Sequence, residues 1–95
     1  MTSIPELEAL LDECDRADVF RFRFLDEEVY DLKVFAIHRD LEETVPRCSA
    51  EVHAVIVQNT QSRRHFRPGK VMEFSLSEVQ RVERTSDGSV LYEAA

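Results

Sequence analysis

The segment Val19–Leu25 alternates strictly between apolar and basic residues, and this alternation limits the folds open to the chain. Its three phenylalanines fall on one face of an extended strand, and its two arginines, Arg21 and Arg23, fall on the other. A repeat of two residues with three aromatic side chains in phase predicts a β-strand. We therefore expect a sheet with one strongly apolar face.

Further segments continue the β pattern. The extended stretches after the first strand are Val29–His38, Val52–Gln58, Val71–Leu76, Val79–Arg84 and Val90–Tyr92. Val52–Gln58 is apolar on both faces, which predicts a central strand buried on two sides.

The second predicted strand has an irregular pattern at its C-terminal half. Even-numbered residues from Tyr30 to Ala36 share one face. Phe35 and Ile37 add bulk to the opposite face, so we expect another element, the N-terminal helix, to cover that end.

The N-terminal segment predicts an amphipathic helix over about residues 4–16. Ser3 and Glu6 have capping-box spacing, and Pro5 lies in the first turn. Apolar residues then recur at helical spacing at Ile4, Leu7, Leu10, Leu11 and Cys14. A helix this short is marginal alone, so we expect it to pack on the sheet or on a partner.

The segments between the strands carry recognisable turn chemistry. Residues 39–50 form the longest predicted loop, with a helical turn near 40–43. The order Arg67-Pro-Gly-Lys70 fits a type II turn, and Ser75 and Glu78 have capping-box spacing. Asp87-Gly88 predicts a two-residue hairpin turn.

These elements predict a mainly β fold, α+β by count, as a single domain over residues 1–95. The helix is expected to pack on a small antiparallel barrel or sandwich of five or six strands at about 18–93. A helix, a long-stranded hairpin, a long loop, a central strand, a short turn and a last strand resemble the layout of SH3-like and Sm-like barrels. The resemblance is one of layout, and no family motif accompanies it.

Composition sets the expected compartment and excludes several partners. The net charge of −7 disfavours indiscriminate binding to nucleic acid or anionic membranes. No apolar run reaches membrane-spanning length, and the N-terminus lacks the features of a signal peptide. We therefore expect a cytoplasmic protein without membrane contact, whose cysteines, Cys14 and Cys48, are reduced thiols.

The segment Arg63–Lys70 is the only dense positive charge in the chain and the leading candidate binding loop. Its four bases surround one aromatic ring, a combination that binds single-stranded nucleic acid or anions. The candidate binding residues are Arg63, Arg64, Phe66, Arg67 and Lys70, extended by Arg21 and Arg23. The alternative is a solvated hairpin whose arginines pair with the acidic body and whose Phe66 points inward. Arg21 and Arg23 have a similar alternative, cross-strand pairing with Asp31 or Glu51.

No pattern of reactive residues indicates catalysis. The histidines and cysteines lack metal-ligand spacing, and no nucleophile or phosphate-loop motif is present. Glu27 and Glu28 are neighbours whose side chains are expected to point apart, unlike a catalytic carboxylate pair. We therefore predict no enzyme, no catalytic or metal residues and no cofactor.

The sequence favours a small non-enzymatic interaction module that engages a protein partner or itself. The apolar helix stripe and open sheet edges are the routes expected for such contacts. The alternative is a nucleic-acid-binding or regulatory barrel that uses residues 63–70. A third class, recognition of a small anion or metabolite by the arginine loop, also stays open.

Overall fold

The computed structural model describes residues 3–13, 17–38, 45–62 and 64–94, and it shows one helix and six strands. The helix α1 spans Ile4–Glu13, and a short 3-10 helix spans Leu76–Glu78. The strands are β1 Phe20–Phe24, β2 Val29–His38, β3 Arg47–Val57, β4 Val71–Ser75, β5 Val79–Arg84 and β6 Val90–Glu93. The predicted mainly β class is confirmed.

All six strands form one antiparallel sheet in the order β4-β3-β2-β1-β5-β6. Strands β1 to β4 pair as consecutive neighbours along the chain. β5 instead leaves the β4 edge and pairs with β1. The sheet is unclosed within the described residues, so β4 and β6 are its edges.

The sheet is strongly curled. Phe22 on β1 and Phe74 on β4 have ring centroids 5.5 Å apart, although β2 and β3 lie between these strands. Three strand spacings in a flat sheet would separate them by roughly 14 Å. The curl therefore folds the apolar face onto itself and encloses the core.

The core confirms the alternation of the first strand. The three phenylalanines of β1 are at most 1% exposed, and its arginines face outward. Leu7 and Leu11 of α1 are buried with them, and the helix contacts β2 and β6. Ser3 caps the helix start by accepting the Glu6 N–H at 3.3 Å. Cys14, expected on the same stripe, lies outside the described residues.

β2 differs from the prediction at its C-terminal half. Phe35 is 38% exposed, so the expected cover over this residue is wrong. A register shift between Val34 and Ala36 inserts a bulge that exchanges the two faces. Ala36 therefore turns outward and Ile37 packs against the core.

β3 also differs, at both ends. It begins at Arg47, so residues 47–50 belong to the strand and the loop is shorter than predicted. Cys48 and Ala50 are fully buried, because they continue the inward phase of Val52. At the other end Ile56 and Val57 are both 45% exposed, so predicted burial on two sides is wrong. The strongest contacts of the described helix are with β2 and β6 rather than with β3. The predicted helical turn at 40–43 lies outside the described residues.

The predicted Arg67–Lys70 turn and the predicted capping box at Ser75 are both confirmed. Gly69 has φ 84°, and the Lys70 N–H donates to the Arg67 carbonyl at 3.1 Å, as a type II turn requires. Ser75 and Glu78 form the predicted capping box at the 3-10 helix.

The β5–β6 hairpin is present, but its turn is longer than two residues. Arg84 and Ser89 close it through an N–H···O bond of 2.8 Å, so residues 85–88 form the turn. Thr85 is bonded instead to the Val19 carbonyl, through its N–H at 3.1 Å and its hydroxyl at 2.8 Å. Those bonds keep Thr85 out of the hairpin ladder.

Cys48 is a buried free thiol, and burial raises its pKa to about 12. No helix among the described residues is long and apolar enough to cross a membrane.

The turn between β1 and β2 contains a strained backbone conformation whose energetic cost can be measured. Glu27 has φ 73°, the left-handed region that costs a non-glycine residue roughly 1–2 kcal/mol. The substitution Glu27→Gly removes this strain, but glycine is more flexible in the unfolded chain and so loses more entropy on folding. The net effect should be a rise of about 0.5–1 kcal/mol in the free energy of unfolding. Urea denaturation would measure this change. A Glu27→Ala variant is the matched control and should gain nothing, because alanine keeps the strain.

Candidate functional site

The site is built around Glu28, which is the most deeply buried carboxylate among the described residues, at 1% exposed. Glu28 immediately precedes β2 and follows the β1–β2 turn. It lies on the same face of the strand as Tyr30 and Leu32, whose side chains face the core. The strand geometry therefore places a carboxylate at the mouth of the apolar interior.

Four donors satisfy the Glu28 carboxylate. Ser62 Oγ donates at 2.9 Å, the Asn59 backbone N–H at 2.9 Å and Arg64 Nη1 at 2.9 Å. The Tyr30 hydroxyl donates at 3.1 Å. Three of these donors come from residues 59–64, so the carboxylate fixes the segment that follows β3.

Arg64 is enclosed by three carboxylates and one aromatic ring. Its Nη1 bonds to Asp26 as well as Glu28, and its Nη2 lies 3.4 Å from Glu78 Oε1. The guanidinium carbon is 4.1 Å from the centroid of the Phe24 ring, a cation–π contact. The side chain is only 15% exposed.

The electrostatics favour the charged forms of this cluster. Burial alone would raise the pKa of Glu28, but the hydrogen bonds from Ser62, Asn59, Arg64 and Tyr30 outweigh burial and lower it. Desolvation alone would raise the pKa of Asp26, but the hydrogen bond and charge of Arg64 and the backbone hydrogen bonds of the turn together lower it. Burial likewise opposes the charge of Arg64, yet its bonds to Asp26 and Glu28 raise its pKa.

A second set of bonds ties the segment to the core through Gln58. Its side-chain Nε2 approaches the Tyr30 hydroxyl at 3.2 Å and the carbonyls of Arg64 and Phe66 at 3.1 and 3.3 Å. The Phe66 ring is 4% exposed and lies 4.8 Å from the Tyr30 ring. We call residues 58–62 and 64–67 the anchored loop.

This arrangement is suited to holding a conformation. Glu28 has a lowered proton affinity and four donors around it, which makes it a poor acceptor for a further proton. Among the described residues no group of three or more His, Cys, Asp or Glu side chains could hold a metal ion.

The structure divides the residues that the sequence analysis proposed for binding. Arg64 and Phe66 come together, but they pack into the domain as the alternative interpretation predicts. Arg67 and Lys70 are exposed at the end of the anchored loop and the adjoining turn. Arg63 lies outside the described residues.

The two arginines of β1 lie elsewhere. Arg21 is paired with Asp31 on β2 through bonds of 2.9 and 3.2 Å, as the cross-strand alternative predicts. It lines a separate small cleft with residues of the β5–β6 hairpin. Arg23 is exposed on the same outer face of β1.

The acceptors that define the site were not predicted as site residues. Glu28 was interpreted only as half of an unconvincing carboxylate pair, Glu78 only as part of a capping box, and Asp26 was given no role. One signal was present, because Glu28 falls in phase with the inward-facing residues of β2. A carboxylate at such a position requires a charged or multiply hydrogen-bonding partner.

Two clefts flank the anchored loop. The smaller has a volume of about 190 Å³ and is lined by Gln58, Asn59, Thr60, Ser62, Arg64, His65, Phe66 and Arg67. The larger has about 560 Å³ and is lined by Asp26, Glu28, Asn59, Gln61, Ser62, Arg64 and Glu78. Asn59, Ser62 and Arg64 line both clefts and so form the wall between them.

Comparison of the chain with protein-family models, with curated proteins and with solved structures gave no match. The geometry described above is therefore the basis for a functional proposal.

The Glu28 cluster predicts a specific pH dependence. Glu28→Gln should lower the free energy of unfolding by about 2–4 kcal/mol at pH 7, because it leaves Arg64 and the other donors without their charged acceptor. The pKa of Glu28 is lowered by folding, so its stabilisation is present above the unfolded pKa of about 4.3 and is lost as pH falls through the folded pKa. The difference between wild type and variant should therefore shrink below about pH 4.

Urea denaturation from pH 3 to 7 would measure both effects. Glu27→Gln is the control, since Glu27 precedes Glu28 in the chain but its side chain is exposed, and it should change stability by less than about 0.5 kcal/mol. A constant difference between wild type and Glu28→Gln across this range would contradict the assignment.

Proposed function

We propose that the chain is a small SH3-like or Sm-like barrel that acts in the cytoplasm as a non-enzymatic interaction module for a protein partner or a second copy. The return of β5 to pair with β1 and the curl that brings β4 over β1 support the barrel. The buried thiol of Cys48 is consistent with a reducing compartment.

The observation that carries the proposal is the free edge of β4. The Val52 N–H donates to the Lys70 carbonyl and the Leu76 N–H donates to the Pro46 carbonyl, which fixes the phase of the β3–β4 ladder. Backbone groups of Met72 and Phe74 consequently face β3, and those at 71 and 73 face away from it. No strand of the described chain pairs with that edge.

The side chains at this edge leave it open to another strand. Val71 is 59% exposed. Glu73 is the one acid on β4, and charged residues on edge strands normally discourage pairing. Here the Arg47 guanidinium lies 2.6 Å from the Glu73 carboxylate and offsets its charge, and His38 Nε2 lies 3.5 Å from the same carboxylate. An extended segment of a partner can then add to β4 through backbone hydrogen bonds.

The nucleic-acid alternative has less support from the geometry. Its proposed stacking ring, Phe66, is 4% exposed, and the charge of Arg64 is offset by three carboxylates. Arg67 and Lys70 are the exposed bases that remain to it in the described part of residues 63–70.

A second copy of the chain provides a direct test of the β4 edge. We expect sedimentation at increasing concentration to show dimers, and Val71→Lys to weaken dimerisation by about tenfold or more, because it buries a charge at the new strand pair. Val90→Lys is the matched control, since Val90 is 46% exposed on the opposite edge strand.

Two results would count against this proposal. Equal weakening by both lysine variants would place the contact away from β4. A wild-type protein that remains monomeric at every concentration, with the 71 and 73 amides unprotected from hydrogen exchange, would exclude self-pairing through this edge.

A further inference from the structure

The smaller cleft of the anchored loop differs in charge from the rest of the molecule. The chain has a net charge of −7, yet none of the eight described residues that line this cleft is Asp or Glu. Two arginines and one histidine are among them. The larger cleft, on the other side of the loop, has three carboxylates in its lining. The two sides of one loop therefore present opposite electrostatic environments.

Arg64 separates these environments. It lines both clefts, and its guanidinium bonds to carboxylates that line only the larger one. Those ion pairs offset the negative charges of Asp26, Glu28 and Glu78, the carboxylates nearest to the smaller cleft's wall. Separate bonds from Gln58 Nε2 to the Arg64 and Phe66 carbonyls fix the wall of the smaller cleft.

Arg67 supplies a positive charge that is not paired within the described part of the chain. Its side chain is exposed, it lines the smaller cleft, and no ion pair of the described chain involves it. A guanidinium offers a planar fork of donors that matches two oxygens of a phosphate. His65 and Thr60 line the same cleft and offer further side-chain donors.

The size of the cleft limits the ligand. Sites for drug-sized molecules and cofactors occupy roughly 300–1,000 Å³, and this cleft has about 190 Å³. It accommodates one small charged group rather than a whole nucleotide.

We propose that the smaller cleft binds the phosphate group of a phosphate monoester, with Arg67 as its principal ligand and His65 and Thr60 beside it. The site is independent of the β4 edge, since its lining residues all belong to the anchored loop. The remainder of the ligand lies outside the cleft.

The test uses inorganic phosphate as the probe on the full chain. Titration at constant ionic strength, followed by backbone amide shifts, should show saturable changes confined to the anchored loop. Arg67→Ala should weaken phosphate binding by about tenfold, the equivalent of one charge-assisted hydrogen-bond pair. Arg67→Lys keeps the charge but removes the fork, so its affinity should fall between those of wild type and Arg67→Ala.

Arg23→Ala is the matched control, because Arg23 is an exposed arginine on β1 outside both clefts. It should bind phosphate as wild type does. Wild-type affinity in the Arg67→Ala variant, equal losses in both alanine variants, or shift changes outside the anchored loop would each overturn the proposal. Because Arg67 is exposed, its replacement should leave the fold intact, and circular dichroism of the variant checks this.

Discussion

The buried ion pair between Glu28 and Arg64 is the interaction on which the anchored loop depends. A carboxylate at the mouth of an apolar core is unfavourable unless charge and hydrogen bonds compensate it. Here the compensation comes from one arginine, one backbone amide and two hydroxyls. Since three of those donors follow β3 in the chain, satisfying Glu28 also determines where the loop lies.

That pairing separates the basic segment into two functional parts. Arg64 and Phe66 belong to the fold, through ion pairs and ring contacts with Phe24 and Tyr30. Arg67 and Lys70 remain at the surface. A run of bases beside an aromatic residue therefore gives a misleading picture of a continuous binding surface. The surfaces proposed for binding are a small cleft on one side of the loop and the β4 edge, with which no described strand pairs.

The features that could be predicted from the sequence are those set by local residue patterns. The three phenylalanines of β1, the Pro-Gly turn and the Ser75 capping box are local patterns whose geometry follows from the residues themselves. Register shifts are not local, because they depend on the neighbouring strand, and so the exposure of Phe35 was missed. Three of the four donors to Glu28, those of Asn59, Ser62 and Arg64, come from positions 31 to 36 residues away. Only their assembly in the sheet reveals the site.

A double-mutant cycle between Glu28 and Arg64 tests this account most directly. Glu28→Gln, Arg64→Met and the double variant would be compared by urea denaturation at pH 7, with methionine retaining the apolar stem over Phe24. Direct pairing predicts a coupling free energy of about 1.5–3 kcal/mol, so the double variant should be much less destabilised than the sum of the single variants. Additive effects, with coupling below about 0.5 kcal/mol, would contradict the claim that this pair holds the loop.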